Sequence, residues 1–287
     1  CIINLSYCWL HPEHPDPKGV TLRLVAKACQ RQLQKSFEIE NMTSFPRIAL
    51  FWDYASLFQH PDPKHGVFRT TQEDLMFKEG LNSLAALFSN PYTKCFKVTE
   101  FPEDYPEAYN LPPESNLAMY EERGWPFVES CWMNLAKQGQ HVTDITYKAN
   151  KSRRAIGPML PSTMDKHLKN VSFTNGKEDR PLVSRLYEES FQSSIQNLSD
   201  VWGSYWNDTD FENLADIIDS GFLPNLSTLN LKEGSVGNEA WSKLGSALSK
   251  HPQERLRALN IRYTKIGDHG IQAWAELMVG KFNILYL

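Results

Sequence analysis

The first half of the chain alternates short, continuous apolar runs with longer segments whose apolar residues recur at helical spacing. Apolar, β-prone runs at residues 2–7, 48–52 and 93–101 are typical of buried strands. Residues 20–37 and 70–88 instead place their apolar side chains on one helical face, which predicts amphipathic helices. Strands that alternate with helices of this length predict βαβ units, and therefore a parallel sheet that is covered on both faces.

A turn that leads into a helix closes this half of the chain. Gly124 supplies a permissive backbone for the turn, and Pro126 suits the first helical position, where its missing N–H is not needed. Glu129 then lies about one turn into the helix, near the positive end of the helix dipole, which favours its ionised form. If the protein has a chemical centre, we expect Glu129 to belong to it. The alternative is that an acid is simply favoured at a helix N-terminus.

Other candidate residues lie near the ends of the predicted strands, which is the edge at which parallel sheets bind ligands. Asp53 directly follows the second strand, where an aspartate either contacts a ligand or caps the following loop. Trp9, Trp52 and Trp125 either stack on a nucleotide base or belong to the core. Local spacing shows no Ser-His-Asp or Cys-His arrangement and no phosphate-loop pattern.

Two loops that follow neighbouring predicted strands share one composition of histidine, proline and aspartate. Their imidazoles, together with the aspartates, would suit zinc or another transition metal if the loops approach each other. The alternative is that proline stiffens two exposed loops while histidine and aspartate are solvated. We adopt this alternative and predict no metal site, because metal ligands usually show tighter spacing and partners that orient them. The four histidines concerned are His11, His14, His60 and His65.

Composition and charge narrow the classes of partner. A formal net charge of -4 and a pI near 6.1 provide no basic surface for nucleic acid or for an anionic membrane. No run approaches the roughly 18 apolar residues of a membrane helix. The five cysteines include no C-x-x-C pair, which favours the cytoplasm or another reducing compartment. Because the chain opens on Cys1 inside an apolar run, we expect it to be part of a longer protein, with any targeting sequence lying upstream.

The second half of the chain begins with a basic stretch and becomes periodic towards its end. Residues 148–154 are rich in Lys and Arg, which predicts an exposed linker, and residues 165–206 predict one or two connecting helices. From Phe211 onward the chain repeats a strand core with the pattern L-x-x-L-x-L. This core starts at Leu226 and recurs at Leu256, an offset of 256 minus 226, or 30 residues.

A turn and a helix follow each of these strand cores. Strand-plus-helix units of about 20 to 30 residues are the signature of leucine-rich repeats. The I-G-D-x-G-I-x-A pattern that starts at Ile266 resembles the ribonuclease-inhibitor type of this family. A third core starts at Phe282 and reaches the last residue, Leu287. Because repeats bury their cores only against neighbours, we expect further repeats or a bound subunit beyond it.

Three blocks of the first half resemble heterokaryon-incompatibility (HET) domains. Residues 6–9, S-Y-C-W, match the S-Y-x-W opening of that family, and residues 51–59 resemble its W-I-D-x-x-C-I-N-Q strand end. Residues 123–129, R-G-W-P-F-V-E, match its closing R-x-W-T-x-x-E element. The chain departs from the pattern at Ser56 and Phe58, which replace its Cys and Asn.

HET domains are similar in fold to Toll/interleukin-receptor (TIR) domains, whose W-C-x-x-E helix carries a glutamate four residues after tryptophan. Trp125 and Glu129 have this spacing, whereas Pro126 replaces the cysteine. In enzymatically active TIR domains this glutamate cleaves the nicotinamide–ribose bond of NAD, while many relatives are assembly or signalling modules. One ionised carboxylate suffices, because nicotinamide leaves from a cationic ring without protonation.

The resemblance also implies a set of pocket residues around Glu129. For an NAD-cleaving enzyme it implies a substrate pocket lined by Trp9, Asp53, Ser56, Arg123 and Trp125. A structural alternative remains open at this point. In that alternative Arg123 forms an ion pair with Glu129 and Trp125 packs the helix against the core.

We therefore predict an α/β protein in three parts. A flavodoxin-like parallel sheet of the HET/TIR type covers residues 1–147, a linker and helical connector covers residues 148–210, and an incomplete leucine-rich-repeat α/β solenoid covers residues 211–287. The favoured function is a recognition scaffold or signalling protein, in which the repeats bind a protein partner and the first domain is an assembly or effector module. The alternative is an enzyme that hydrolyses NAD or a related nucleotide through Glu129, with NAD as substrate and no cofactor required.

Overall fold

The computed structural model describes residues 1–40, 47–113, 115–136, 141–146, 156–174, 176–251 and 255–278. These residues form a mixed α/β protein with two parallel sheets, which confirms the predicted class. The predicted linker at residues 148–154 and the third repeat core at residues 282–287 lie outside the described ranges. Within those ranges, no helix combines the length and apolar character that a membrane crossing requires.

The first sheet contains four parallel strands in the order β2-β1-β3-β4. The three apolar runs predicted as strands all contribute to it, and the fourth strand was not apparent from the pattern. Strand β1 pairs with β2 on one side and with β3 on the other, which brings Ser6 beside Lys97. The strands are β1 Ile2–Tyr7, β2 Ala49–Phe51, β3 Lys94–Val98 and β4 Val142–Asp144.

The helices of the first half begin at recognisable caps or turns. Asp16 caps the first of them, because its carboxylate accepts hydrogen bonds from the backbone N–H groups of Val20 (2.7 Å) and Leu22 (2.8 Å). This fixes Asp16 of the first His/Pro loop in a structural role. The helices are α1 Val20–Glu40, α2 Asp53–Ser56, α3 Thr71–Asn82, α4 Leu84–Ser89 and α5 Gly124–Ala136.

The second predicted helix is interrupted between α3 and α4. Helix α3 begins at the predicted cap, where Thr70 and Glu73 form a reciprocal capping box. The predicted apolar face is only partly packed in α3: Leu75 is 51% exposed, whereas Leu81 is partly buried against the larger hydrophobic cluster. Leu84 and Phe88 of α4 are buried instead, because α4 packs directly against α5.

Alternation along β1 separates the two faces of the first sheet. The odd-numbered residues from Ile3 to Tyr7 pack in one cluster with α1. Asn4 and Ser6 are fully buried on the opposite face, where Asn4 donates a hydrogen bond to the backbone carbonyl of Leu87 in α4 (2.7 Å). The polar residues of β1 therefore face the side of the sheet on which α4 and α5 lie.

The second sheet contains three parallel strands in the order β5-β6-β7, and a helix follows each strand. Its first strand precedes Phe211 and lies in the segment that the sequence predicts to be a connector. Two helices, α6 Pro161–Leu168 and α7 Gly176–Ile195, come before it. The strand–helix units are β5 Asp200–Trp202, α8 Asp208–Asp219, β6 Thr228–Asn230, α9 Asn238–Lys250, β7 Ala258–Asn260 and α10 Asp268–Met278.

Equivalent positions in these three units make equivalent contacts. The starts of α8, α9 and α10 are separated by 238 minus 208 and 268 minus 238, which are both 30 residues. The side chain of Asp208 accepts a hydrogen bond from Gly237 N–H (2.7 Å), and that of Asn238 accepts one from Gly267 N–H (3.2 Å). A non-glycine residue with positive φ follows each strand, namely Tyr205, Glu233 and Tyr263.

One hydrophobic cluster connects the two sheets. It continues from α4 and α5 through α6 and α7 to the helices of the second sheet. Trp132 of α5 is fully buried in this cluster and donates its indole N–H to Ser190 Oγ of α7 (2.8 Å). The two sheets therefore share a core that is built from these helices.

Candidate functional site

The predicted acid, Glu129, lies on α5 beside the carboxyl end of β1. Helix α5 begins at Gly124, so Pro126 occupies its third position and not the predicted first one. The missing N–H of Pro126 is still harmless there, because the first four N–H groups of a helix have no intrahelical partner. Glu129 consequently lies in the second turn, farther from the positive end of the helix dipole than the sequence suggested.

Glu129 ends a chain of hydroxyl groups. Ser6 Oγ donates a hydrogen bond to Glu129 Oε2 at 2.5 Å. The Tyr120 hydroxyl lies 2.5 Å from the same Ser6 oxygen and 3.2 Å from Ser130 Oγ. Because Ser6 has a single hydroxyl proton and donates it to the carboxyl group, Tyr120 is the donor to Ser6. This chain holds α5 against β1.

The environment of Glu129 favours its neutral form, which corrects the expectation of an ionised carboxylate. The carboxyl group is enclosed by protein, although other parts of the residue remain accessible. This burial raises the pKa of Glu129 well above its usual range, and the negative charge of Asp53 raises it further. The hydrogen bond from Ser6 and the positive charge of Lys97 oppose the shift without cancelling it.

The raised pKa of Glu129 predicts that Glu129→Gln stabilises the protein at neutral pH. In the folded state Glu129 keeps its proton at pH values above its usual pKa of 4.5. Its contribution to stability is therefore complete at low pH. It is then lost as the pH rises above 4.5, because the unfolded state gains free energy by ionising this group. Urea unfolding at several pH values should show a higher midpoint for Glu129→Gln at pH 7 and no difference near pH 4.

The exposed Glu188 of α7 provides the matched control for this pH series. Glu188→Gln should shift the midpoint equally at both pH values. A Glu129→Gln variant that is less stable than wild type at pH 7 would show that Glu129 is needed as an anion.

Asp53 accepts hydrogen bonds from two aromatic side chains at the same edge of the sheet. Its carboxylate lies 2.7 Å from the Tyr7 hydroxyl and 3.2 Å from the Trp9 indole nitrogen. It also accepts the backbone N–H of Tyr54, the next residue, at 2.7 Å. Burial raises the pKa of Asp53, whereas these hydrogen bonds oppose the shift. These contacts tie Asp53 to Tyr7 and Trp9 of the chain around the end of β1, and its role as a cap or as a ligand contact stays a prediction.

Arg123 does not form the ion pair with Glu129 that the sequence left open. The residue is only 6% exposed, and its guanidinium is satisfied by backbone carbonyls. It donates to the carbonyls of Ala118 (2.8 Å), Trp9 (2.9 Å) and Asn116. It therefore holds together the loop before α5 and the chain after β1.

The other predicted pocket residues have different surroundings. Trp9 packs its ring edge-on to Tyr54 with the ring centres 5.7 Å apart. Trp125 packs against the larger hydrophobic cluster, as in the structural alternative. Ser56 is exposed and accepts the backbone N–H of Trp52 at 3.1 Å. Hydrogen bonds thus join Trp9 to Asp53 and Arg123, whereas Ser56 and Trp125 contact other groups.

Gly124 is needed for packing and not for a flexible turn. Its φ is not positive, but a Cβ at this position would lie 2.0 Å from Cζ of Phe173. We expect Gly124→Ala to lower the free energy of unfolding by about 1–3 kcal/mol, the usual cost of overpacking. Denaturant unfolding of Gly124→Ala alone and combined with Phe173→Leu tests this explanation. Recovery of stability in the double variant supports it, and an equal loss in both variants contradicts it.

The two histidine-containing loops are neighbours, but each of their histidines contacts a different partner. Lys64 and Glu13 form an ion pair of 2.8 Å between the two loops, which confirms that the loops are neighbours. In the described part of the chain, no group of three or more His, Cys, Asp or Glu side chains is placed to hold a metal ion. Nδ1 of His11 and Nδ1 of His14 each accept the backbone N–H of the residue two positions later in the chain. Nδ1 of His60 accepts the backbone N–H of Arg69, and Nδ1 of His65 forms a hydrogen bond with the Asp62 carboxylate.

A cavity of about 810 Å³ lies away from Glu129, beside α1 and the chain that follows β4. None of the predicted site residues lines it. Its wall contains two cations, Lys27 and Arg31, and the apolar residues Leu24 and Ile145. The chemistry-bearing cluster and this cavity are therefore different places on the molecule.

Three residues of the cluster were missed in the sequence. Ser6 was read only as part of the S-Y-x-W block, although its even position on β1 was a signal that it faces away from Tyr7. Lys97 interrupts an apolar strand, and that interruption could have identified it. Tyr120 lies in a short 3-10 helix, Tyr120–Glu122, and no sequence pattern distinguishes it.

Comparison of the chain with protein-family models gave no match, and comparison with curated proteins gave none either.

Proposed function

We propose that this protein is a recognition scaffold or signalling protein, in which leucine-rich repeats bind a protein partner and a HET/TIR-like domain is an assembly or effector module. The observation that carries the proposal is the repetition of one strand–helix unit around β5, β6 and β7. The helix starts recur every 30 residues, and each unit hydrogen-bonds to the next through the same position. Stacked units of this kind bury a continuous core and present an extended surface to partners.

The strand order of the first sheet supports the proposal that this half is a HET/TIR-like domain. Its order, β2-β1-β3-β4 with all strands parallel, is the order of the first four strands in flavodoxin-like folds. The HET/TIR-like blocks contribute Ser6 at the end of β1, Asp53 after β2 and Glu129 on α5. These residues lie at the carboxyl edge of the sheet, as the resemblance implies.

The partner-binding surface can be tested with exposed tyrosines of the repeat units. Tyr205 is 40% exposed and Tyr263 is 79% exposed, and both have positive φ, a conformation that asparagine adopts readily. Tyr205→Asn and Tyr263→Asn therefore remove the rings without backbone strain. The control is Tyr92→Asn in the first half, where the tyrosine is 89% exposed.

Affinity purification followed by quantitative mass spectrometry would compare these proteins. The proposal expects a partner that wild type and the Tyr92→Asn control retain and that the Tyr205→Asn/Tyr263→Asn double variant loses at least tenfold. Equal recovery of every bound protein by all variants would contradict partner binding through this surface.

A second candidate function is hydrolysis of NAD or a related nucleotide through Glu129. It is favoured by one observation, namely that Arg123 does not neutralise Glu129, which stays beside Asp53 at the carboxyl edge. The enclosure of the carboxyl group disfavours it, because burial raises the pKa of Glu129 and stabilising a cationic sugar centre needs the anion. We therefore rank it below the scaffold function.

Nicotinamide release from NAD separates the two functions. The scaffold proposal expects no release by wild type above the rate of Glu129→Gln, including at protein concentrations that drive self-association. Release by wild type that Glu129→Gln abolishes and the exposed-site control Glu188→Gln retains would establish the hydrolase instead.

A further inference from the structure

Lys97 is a buried lysine that none of the roles above uses. It lies in β3 beside Ser6 of β1 and is only 8% exposed. Its ammonium nitrogen lies 4.8 Å from the centre of the Tyr120 ring. In the described ranges of the chain, no carboxylate oxygen lies within ion-pair distance of this nitrogen. Lysine is rarely buried to this extent without a paired charge, so its place in the cluster requires a chemical reason.

The surroundings of Lys97 favour a neutral amine. Burial lowers the pKa of the Lys97 ammonium, and the negative charges of Glu121 and Asp144 oppose this shift from a distance. A desolvated lysine that loses its proton near neutral pH is a nucleophile. The titratable groups that face it come from β3, the 3-10 helix before α5, α5 and β4, and are Cys95, Tyr120, Glu121, Glu129, Cys131 and Asp144.

Tyr120 contacts both Lys97 and the hydroxyl chain of Glu129. Its ring lies under the Lys97 ammonium, and its hydroxyl bonds to Ser6, which bonds in turn to Glu129. The positive charge of Lys97 is also one of the influences on the pKa of Glu129. An amine and a carboxylic acid therefore share one face of the sheet, at the edge where ligands bind in parallel α/β proteins.

We propose that Lys97 is a carbonyl-reactive amine that forms a Schiff base with small aldehydes at the carboxyl edge of the first sheet. The Nζ lone pair forms a bond to the carbonyl carbon, and a proton moves from nitrogen to oxygen to give a carbinolamine. Glu129 gives its proton to the departing hydroxyl, the C–O bond breaks, and water leaves. The products are a protonated Schiff base on Lys97, one water molecule and the Glu129 carboxylate as counter-ion.

The surroundings of Lys97 restrict the class of carbonyl compound with which it can react. Only a small part of Lys97 is exposed, which restricts access to small aldehydes. The negative charges of Glu121 and Asp144 around it disfavour substrates that carry a negative charge beside the carbonyl. This reactivity requires neither partner binding nor NAD cleavage.

Reductive alkylation measures this reactivity without knowledge of a natural substrate. The full chain is treated with acetaldehyde and sodium cyanoborohydride, whose hydride reduces each Schiff base to a stable ethylamine. Peptide mapping by mass spectrometry then gives the rate at every lysine at pH 9 and pH 7. An exposed lysine of ordinary pKa has about 100-fold less free amine at pH 7 than at pH 9.

We expect the rate at Lys97 to fall by clearly less than about 100-fold between pH 9 and pH 7, because burial lowers its pKa. Exposed Lys27 and Lys265 are the internal controls for the reaction conditions. The ratio of the two rates at one lysine does not depend on how accessible that lysine is. A fall at Lys97 as large as at the controls, or no modification of Lys97 at either pH, would overturn the proposal.

Glu129→Gln tests the acid that the proposed reaction uses. Glutamine keeps the size and the hydrogen bond of the protonated acid but cannot supply its proton. The rate at Lys97 at pH 7 should fall at least about tenfold in this variant, within the usual range for loss of a general acid, while the controls stay unchanged. An unchanged rate at Lys97 would exclude Glu129 as the proton donor.

Discussion

Replacing Trp241 with alanine is expected to lower the free energy of unfolding by about 3–5 kcal/mol, the usual cost of truncating a buried aromatic residue. Trp241 is fully buried on α9. Its ring centre lies 4.6 Å from that of Phe211 on α8 and 5.5 Å from that of Trp274 on α10. The variant therefore opens a cavity where the helices of all three strand–helix units meet.

Chemical denaturation followed by far-UV circular dichroism would measure this effect. Tyr92→Ala is the control, because Tyr92 is 89% exposed and its removal should change stability by less than about 0.5 kcal/mol. Because the hydrophobic cluster continues from the second sheet to α5, both sheets of Trp241→Ala should unfold in one transition. A loss below about 1 kcal/mol would contradict the packing of the three units around this ring.

Arg123→Met is expected to destabilise the protein by about 3 kcal/mol or more. The methionine fills much of the arginine volume, but it leaves the carbonyls of Trp9, Asn116 and Ala118 without their donor. Each buried polar group without a partner costs about 1–3 kcal/mol. The loss of the cation over the Phe101 ring, 5.4 Å from its centre, adds to the effect.

Arg185 supplies the matched control for this substitution. Its side chain is 52% exposed and makes an i,i+4 ion pair with Glu189 and an exposed hydrogen bond to Asn82, so Arg185→Met should cost less than about 1 kcal/mol. A double-mutant cycle of Arg123→Met with Glu129→Gln distinguishes the observed network from an ion pair between the two residues. We expect additivity within about 0.5 kcal/mol, and a larger coupling would mean that the two residues interact directly.

The roles of Arg123 and Glu129 show what local sequence patterns lack. The spacing of Trp125 and Glu129 correctly indicated a helix that carries an acid at the carboxyl edge of a sheet. The hydrogen-bond partner of Glu129 is Ser6, and one carbonyl partner of Arg123 belongs to Trp9. These partners lie 123 and 114 residues away in the chain, so no local spacing could pair them.

The pKa of Glu129 shifts against the direction that its place near a helix start favours, for the same reason. The helix dipole is a local property, and the sequence placed Glu129 within its reach. Burial is a property of the whole fold, and it has the larger effect on the pKa of this carboxyl group. Lys97 follows the same rule, because the charges around it depend on how β3, β4 and the 3-10 helix before α5 are arranged.

The extent of the second sheet also depended on tertiary structure. The L-x-x-L-x-L cores at Leu226 and Leu256 identified β6 and β7 in advance, because each leucine recurs at a fixed interval. Strand β5 was missed, since Asp200–Trp202 contains only one buried apolar residue, Val201. It is a strand because its backbone pairs with β6, and pairing is decided by the neighbouring strand and not by the side chains of three residues.

Local patterns in the chain were enough to predict the parallel α/β class, the first three strands of the first sheet, and the 30-residue period of the second. These features follow from hydrophobic periodicity, which records the face of each element that is buried. The side chains and carbonyls that contact each other across those buried faces depend on the tertiary arrangement of the elements. The Glu129–Ser6–Tyr120 chain, the Arg123 carbonyl contacts and the position of Lys97 over the Tyr120 ring all arise between elements that are distant in the sequence, because a sheet orders its strands by pairing and not by their order in the chain.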